Sequence, residues 1–414
     1  MTNSISKASI IEGTNGFQLF VDGKPFRING AGLEFASIPQ LAEHGANSFR
    51  TWRIDNGDQT GREVLDEAHK YGLKVMMGIE VARERHGFDY NDEQAVKNQL
   101  ESIRKAVLSL KDHPALIIWG IGNELNLHGK NPRVWDAVND ISKMIHEVDP
   151  HHLTTTSLAG MDKENVAEIK VRATDLDALS VQLYGELIRL PELLKEVAWN
   201  GPLIVSEWGA TGYWEVKKTK WNAPIEDHSS KKADAFLHRY NAAIAPLNHQ
   251  CIGSFVFLWG QKQERTPTWF GMFNPDGQKT EVVDVMHYIW NGQWPEERCQ
   301  RIEDITIDNK VSKSSVKLQP RTNYKAEVKV IDPKAGLTYQ WFVLLESDSD
   351  ASGGDYEEVP EEVTGLISSD ANEKISFKTP DKAGAYRLFV YVHENRNYSA
   401  HANFPFYVEK IPGA

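Results

Sequence analysis

Short apolar runs and helix-like stretches alternate along most of this chain, and that alternation constrains its fold more than any other feature. Strand-like runs fall at residues 27–31, 46–54, 74–81, 115–123, 152–158, 178–184, 202–206 and 251–259. The most continuous of them read as strands buried on both faces. Between them, residues 60–71, 92–110, 132–148 and 229–245 carry helical spacing. In the last, Ala233, Phe236, Leu237 and Tyr240 line one helix face. Eight strands alternating with helices over roughly 270 residues predict an α/β fold, a (β/α)8 TIM barrel.

The flanks differ from this pattern. Gly16–Val21 and residues 25–28 alternate around Asp22-Gly23, a strong hairpin signal ahead of the barrel. Near residue 298 the helical period stops. Short alternating strands follow at 316–318, 324–330, 338–344, 374–377, 386–392 and 404–408. They predict an all-β sandwich of Ig-like or fibronectin-like type. The expected division is a barrel over 1–297 and a sandwich accessory domain over 298–414. Its acidic loop at 347–354 superficially resembles a calcium loop. The twelfth position, where an EF-hand needs Glu, is Val359, and no helices flank it.

Charge and cysteine usage exclude several functions. The formal charge is −12 and no Lys/Arg-rich block stands out, so neither nucleic acid nor an anionic membrane is an expected partner. No apolar stretch is long enough to span a bilayer. Met1-Thr2-Asn3-Ser4 lacks the basic and apolar regions of a signal peptide. The expectation is a cytoplasmic protein or the mature form of a secreted or periplasmic one. Cys251 and Cys299 are the only cysteines, and no C-x-x-C motif occurs. No dense metal-ligand cluster appears, and Gly120-Ile121-Gly122 lacks the third glycine of a dinucleotide loop, which would fall at Leu125. Neither metal nor cofactor is expected.

Two of the apolar runs end on a glutamate: Ile117-Ile118-Trp119-Gly120-Ile121-Gly122-Asn123-Glu124 and Pro202-Leu203-Ile204-Val205-Ser206-Glu207-Trp208-Gly209. A carboxylate in apolar surroundings needs a partner or a task. Counting strands puts Glu124 after the fourth and Glu207 after the seventh, across one barrel mouth, at the face where barrel enzymes carry their chemistry. Paired carboxylates are the machinery of glycoside hydrolysis, one as nucleophile and one as acid/base. Read alone, either glutamate is equally a structural carboxylate; the second motif at a matching position favours chemistry. Among 12 tryptophans most belong to the core, while Trp52, Trp208, Tyr213, Trp214, Trp221 and Trp269 sit in or near mouth loops where one or two could stack on sugars. His86 and His128 are further candidates for hydroxyl contacts.

These motifs resemble those of clan A retaining glycoside hydrolases, and most nearly the catalytic TIM barrel of glycoside hydrolase family 2. The resemblance covers residues 25–292 and includes Asn47-Ser48-Phe49-Arg50-Thr51-Trp52 and Asp177-Ala178-Leu179-Ser180-Val181-Gln182-Leu183-Tyr184-Gly185. It implies Glu207 as nucleophile and Glu124 as acid/base. It further implies that Arg50 and Tyr184 contact the nucleophile, that Asn123 meets the sugar 2-hydroxyl, and that Trp259 floors the first sugar subsite. Gln182 stands where the family usually has Asn.

The expected function is a retaining glycoside hydrolase acting by double displacement on a β-linked oligo- or polysaccharide, with a β-glucan as the expected glycan. Trp52 and Trp208 join the expected substrate-binding residues. The alternatives are a transglycosylase with the same pair and a non-catalytic carbohydrate-binding barrel.

Overall fold

The computed structural model describes residues 4–367, 372–394 and 397–410; Met1-Thr2-Asn3, part of the leader reading, lie outside them. The chain forms two compact units, residues 1–209 with 239–259 and residues 210–238 with 260–414.

The first unit opens with a three-stranded antiparallel sheet, β1 (Ala8–Gly13), β2 (Gly16–Val21) and β3 (Lys24–Phe26). Val21 pairs with Lys24, and the intervening Asp22 and Gly23 have φ of 51° and 74°. That is the two-residue turn with both central residues left-handed which the Asp-Gly step favours. Gly16 admits no side chain: a Cβ there would lie 1.8 Å from the His249 carbonyl oxygen.

Eight parallel strands then close a barrel: β4 (Ile28–Leu33), β5 (Ser48–Arg50), β6 (Lys74–Ile79), β7 (Leu116–Asn123), β8 (Leu153–Ala159), β9 (Ala178–Gln182), β10 (Leu203–Glu207) and β11 (Cys251–Trp259). The first seven strands are joined through α1 (Ile38–Glu43), α2 (Gly61–Lys70), α3 (Glu93–Leu110), α4 (Arg133–Val148), α5 (Lys163–Arg172) and α6 (Leu190–Glu196); α7 (Ser229–Arg239) follows β10 in the chain and belongs, but for Arg239, to the second unit. Caps explain several starts. The Thr60 side chain accepts from the Glu63 amide while Glu63 reaches back to the Thr60 amide, a complete capping box on α2. Asp92 accepts from two amides at the start of α3.

Leu19 and Val21 of β2 pack with Ile28, Met76, Ile118, Leu153, Ala178, Ile204 and Ile252. All of these barrel residues lie in the first half of their strands, so the small sheet plugs the N-terminal end. The opposite, C-terminal end carries the polar residues.

The second unit contains α8 (Glu281–Asn291) and two four-stranded sheets. Their strands are β12 (Arg301–Ile307), β13 (Lys310–Val311), β14 (Lys317–Leu318), β15 (Asn323–Ile331), β16 (Thr338–Leu345), β17 (Lys374–Lys378), β18 (Gly384–Glu394) and β19 (Tyr398–Val408), in the orders β13-β12-β15-β17 and β14-β19-β18-β16. Alternate residues of both sheets, among them Ile302, Val328, Phe377, Leu388 and Phe404, form one core. A second, polar core surrounds Glu226, which accepts from Lys232 at 2.5 Å and from Thr266, Thr268 and Asn403. Burial raises the Glu226 pKa, but the charges and donors of these neighbours outweigh it and hold the group down at about 2.

Both cysteines, Cys251 and Cys299, are buried and free. No helix among the described residues is long and apolar enough to cross a membrane.

Candidate active site

The C-terminal ends of β5, β7, β9 and β10 bring a polar cluster together. Glu207 ends β10 and is only 4% exposed. Four side chains donate to it. Arg50 Nη1 lies 3.3 Å, Trp52 Nε1 2.7 Å and Gln182 Nε2 2.9 Å from Oε1, and the Tyr184 hydroxyl lies 2.7 Å from Oε2. A carboxylate can accept at all of these positions, and every partner is a donor.

Asn123 ties a second residue into the cluster. Its Oδ1 accepts from Arg50 Nη2 at 2.8 Å and from Gln182 Nε2 at 2.6 Å. Two donors on the oxygen fix the amide, so its NH2 group points the other way. Arg50 therefore spans Glu207 and Asn123 with its two terminal nitrogens, a use of the guanidinium fork that an ammonium cannot copy. Burial pulls the Arg50 pKa below its ordinary value, and the charges of Glu207, Tyr184 and Glu124 oppose that pull.

Glu124 follows β7 immediately. The chain turns sharply there: Gly122 has φ 72° and Glu124 φ 52°, and the Glu124 amide donates to the Ser157 carbonyl at 2.9 Å. A bulky residue in the left-handed region is uncommon and marks a position over-determined by its surroundings. Gly122 is needed for the turn, because a Cβ on it would come within 2.6 Å of Leu125. Glu124 is partly exposed where Glu207 is buried. The two carboxylates thus sit in different environments, which is the condition for giving them different tasks.

The aromatic expectations divide. Trp52 is partly exposed, and it and Tyr184 each meet Phe257 edge-to-face, at 5.7 and 5.8 Å between centroids. Trp208 is fully buried with its ring tilted against Tyr240. Trp259 is also fully buried; its indole donates to the Ser37 carbonyl at 3.2 Å and its ring tilts on His44, both flanking α1. Phe257 is thus an aromatic neighbour shared by Trp52 and Tyr184. The ladder between β11 and β4 shifts register between Val256 and Trp259, which breaks the alternation that would have put residues 257 and 259 on one side.

In the second unit, Trp214 is half exposed and Trp269 is buried with its indole donating to Thr211. His86 and His128 are exposed. Among the described residues no group of three or more His, Cys, Asp or Glu side chains is placed to hold a metal ion.

An eight-stranded parallel barrel with an Asn-Glu step closing its fourth strand and a donor-ringed glutamate closing its seventh has the architecture of clan A glycoside hydrolase barrels. Residues 36–242, half of the 414-residue chain, match the model of glycosyl hydrolases family 2, TIM barrel domain, and the chain belongs to that family. It is 25% identical over 327 residues to a β-glucuronidase of Streptococcus agalactiae, covering 68% of this chain and 52% of that one. It is 24% identical over 203 residues to a mannan endo-1,4-β-mannosidase F of Aspergillus clavatus, covering 38% and 45%. The fold resembles a β-D-glucuronidase of Dictyoglomus thermophilum at TM-score 0.53 and 18% identity, over 70% of this chain and 55% of that one. It also resembles a β-glucuronidase of Bacteroides uniformis at TM-score 0.52 and 14% identity, over 98% and 49%. The chain spans about half the length of the curated relatives it matches.

Proposed function

We propose that the chain is a retaining β-glycoside hydrolase with Glu207 as nucleophile and Glu124 as acid/base. The observation that carries this reading is the convergence of Arg50, Trp52, Gln182 and Tyr184 on one buried carboxylate, with a second, more exposed carboxylate ending β7. Three of the four donors fall on Oε1, so Oε2 is the oxygen with a lone pair to spare for the anomeric carbon. In the first step a Glu207 oxygen bonds to that carbon, the glycosidic C–O bond breaks, and Glu124 gives its proton to the departing oxygen. In the second, Glu124 takes a proton from water, whose oxygen displaces the Glu207 carboxylate and restores both groups. The Asn123 NH2 group supplies a donor for the sugar 2-hydroxyl, an interaction that strengthens in the transition state.

For the glycone, the glucuronidase relatives favour a β-linked uronic acid ahead of the β-glucan expected from sequence. The β-sandwich of residues 298–414 is proposed as an accessory domain to a catalytic barrel over 1–297.

Aryl β-glycosides test the reading, with the β-glucuronide first. Turnover by the wild type that Glu207→Ala and Glu124→Ala each lower by a factor on the order of 10³ supports it. Unchanged turnover in both variants overturns it. Product analysis with added acceptor sugars separates hydrolysis from transglycosylation.

A further inference from the structure

Phe35 lies two residues beyond the end of β4, on the same barrel rim as Glu207, and is 71% exposed. Leaving a phenyl ring in water forgoes the burial that such a side chain normally gains. Its backbone is strained as well, with φ of 54°. The neighbouring loop holds it there. The Phe35 amide donates to the side chain of buried Asn56 at 3.2 Å, and Glu34 pairs with Arg53 at 3.0 Å. Asn56 and Gln59 exchange backbone hydrogen bonds of 2.8 and 3.2 Å, which makes residues 56–59 a tight turn. Gly57 in that turn has φ of 62°, and a Cβ on it would come within 2.6 Å of the Phe35 ring. The loop is therefore shaped around an aromatic ring that it leaves open to solvent.

The ring is also near the carboxylate cluster. Trp52, which donates to Glu207, lies over Gly32: a Cβ on Gly32 would come within 2.6 Å of the Trp52 ring. Phe35 follows Gly32 by three residues, a reach of at most about 11 Å. Neighbouring units of one glycan can bridge such a gap.

We propose that Phe35 is the stacking platform of a second sugar subsite. The substrate is then an oligomeric β-linked glycan rather than one glycosyl group on a small aglycone. This rests on the hydrolase reading for the location of the first subsite. A rigid, two-torsion aromatic side chain suits the task because little conformational freedom is lost when a sugar ring covers it.

Calorimetric binding tests it in the Glu207→Gln protein, which keeps the side chain's size and one acceptor oxygen but not the nucleophile. The probes are a hyaluronan hexasaccharide, β-1,4-mannopentaose and cellopentaose, each against its constituent monosaccharides. The expected result is that at least one oligosaccharide binds more tightly than its monosaccharides. Phe35→Ala weakens that oligosaccharide about fivefold or more, and Phe35→Trp restores it. Equal binding with and without Phe35→Ala, or no oligosaccharide preferred over its monosaccharides, overturns the proposal. Hydrolysis of aryl glycosides by the wild type is read separately. An inert wild type that still shows Phe35-dependent binding sinks the hydrolase reading and keeps the platform.

Discussion

Arg50 and Glu207 form an ion pair in which both side chains are buried, 3.3 Å apart, at the ends of β5 and β10. The same guanidinium holds Asn123 through its other terminal nitrogen at 2.8 Å. One side chain thus sets the position of the proposed nucleophile relative to the residue that precedes the proposed acid/base.

Arg50→Lys tests whether that double engagement matters. A single ammonium satisfies Glu207 or Asn123 but cannot reproduce the planar fork between them. The expected outcome is a drop in kcat/KM of about a hundredfold. Arg50→Ala also leaves the buried carboxylate without its counter-charge, at a stability cost of about 3–5 kcal/mol. Steady-state kinetics and denaturant unfolding measure the two effects. Full activity in the lysine variant contradicts the account.

Much of this cluster was legible in the sequence because a charge that ends an apolar run is conspicuous. Glu124 and Glu207 stood out for that reason, and the strands carrying Arg50 and Tyr184 were identifiable beside them. The barrel strands were legible from their apolar continuity, although the run at 46–54 forms a strand only over Ser48–Arg50, after which the chain leaves the ladder and Trp52 turns to Glu207. Less visible were α1, six residues long with Pro39 in its first turn, and α5, which buries only Val166 and Ile169. Neither supplies enough apolar period to register. The aromatic assignments depended on side-chain direction. Trp208 and Trp259 are fully buried, and a local register shift on β11 accompanies the placement of Phe257 beside Trp52 and Tyr184, which no residue pattern encodes.

Gln182 offers a second check. Its NH2 group donates to both Asn123 and Glu207, at 2.6 and 2.9 Å, while its buried Oε1 has no hydrogen-bond partner among the described residues. Gln182→Leu keeps the approximate volume and removes both donors. The expected outcome is a fall in kcat by a factor on the order of 10–100 with little change in thermal midpoint. A fall in KM alone, or no kinetic effect, argues that Gln182 does not position the pair.

The barrel has a titratable anchor away from this cluster. His146 on α4 bridges Asp175 at 2.8 Å and Asp177 at 3.0 Å. Its hydrogen bond to Asp177, with the pairing to Asp175, raises its pKa from 6.5 to about 9 despite partial burial. The folded state therefore holds this proton more tightly than the unfolded one. The stabilisation is full below about pH 6.5 and is lost as pH rises through about 9. Thermal midpoints across that range are expected to decline in the wild type and to flatten in His146→Gln. Parallel curves for the two proteins would remove His146 from the account.

The central claim is that Glu207 forms a covalent bond to the sugar. It is tested most directly by incubating the protein with a 2-deoxy-2-fluoro-β-glycosyl fluoride of whichever glycone it hydrolyses. Peptide mass mapping then locates the adduct, while the anomeric configuration of the normal product is followed in parallel. The account predicts one glycosyl group per chain, attached to Glu207, and a product with retained configuration. An adduct on another residue, or a product of inverted configuration, would contradict it.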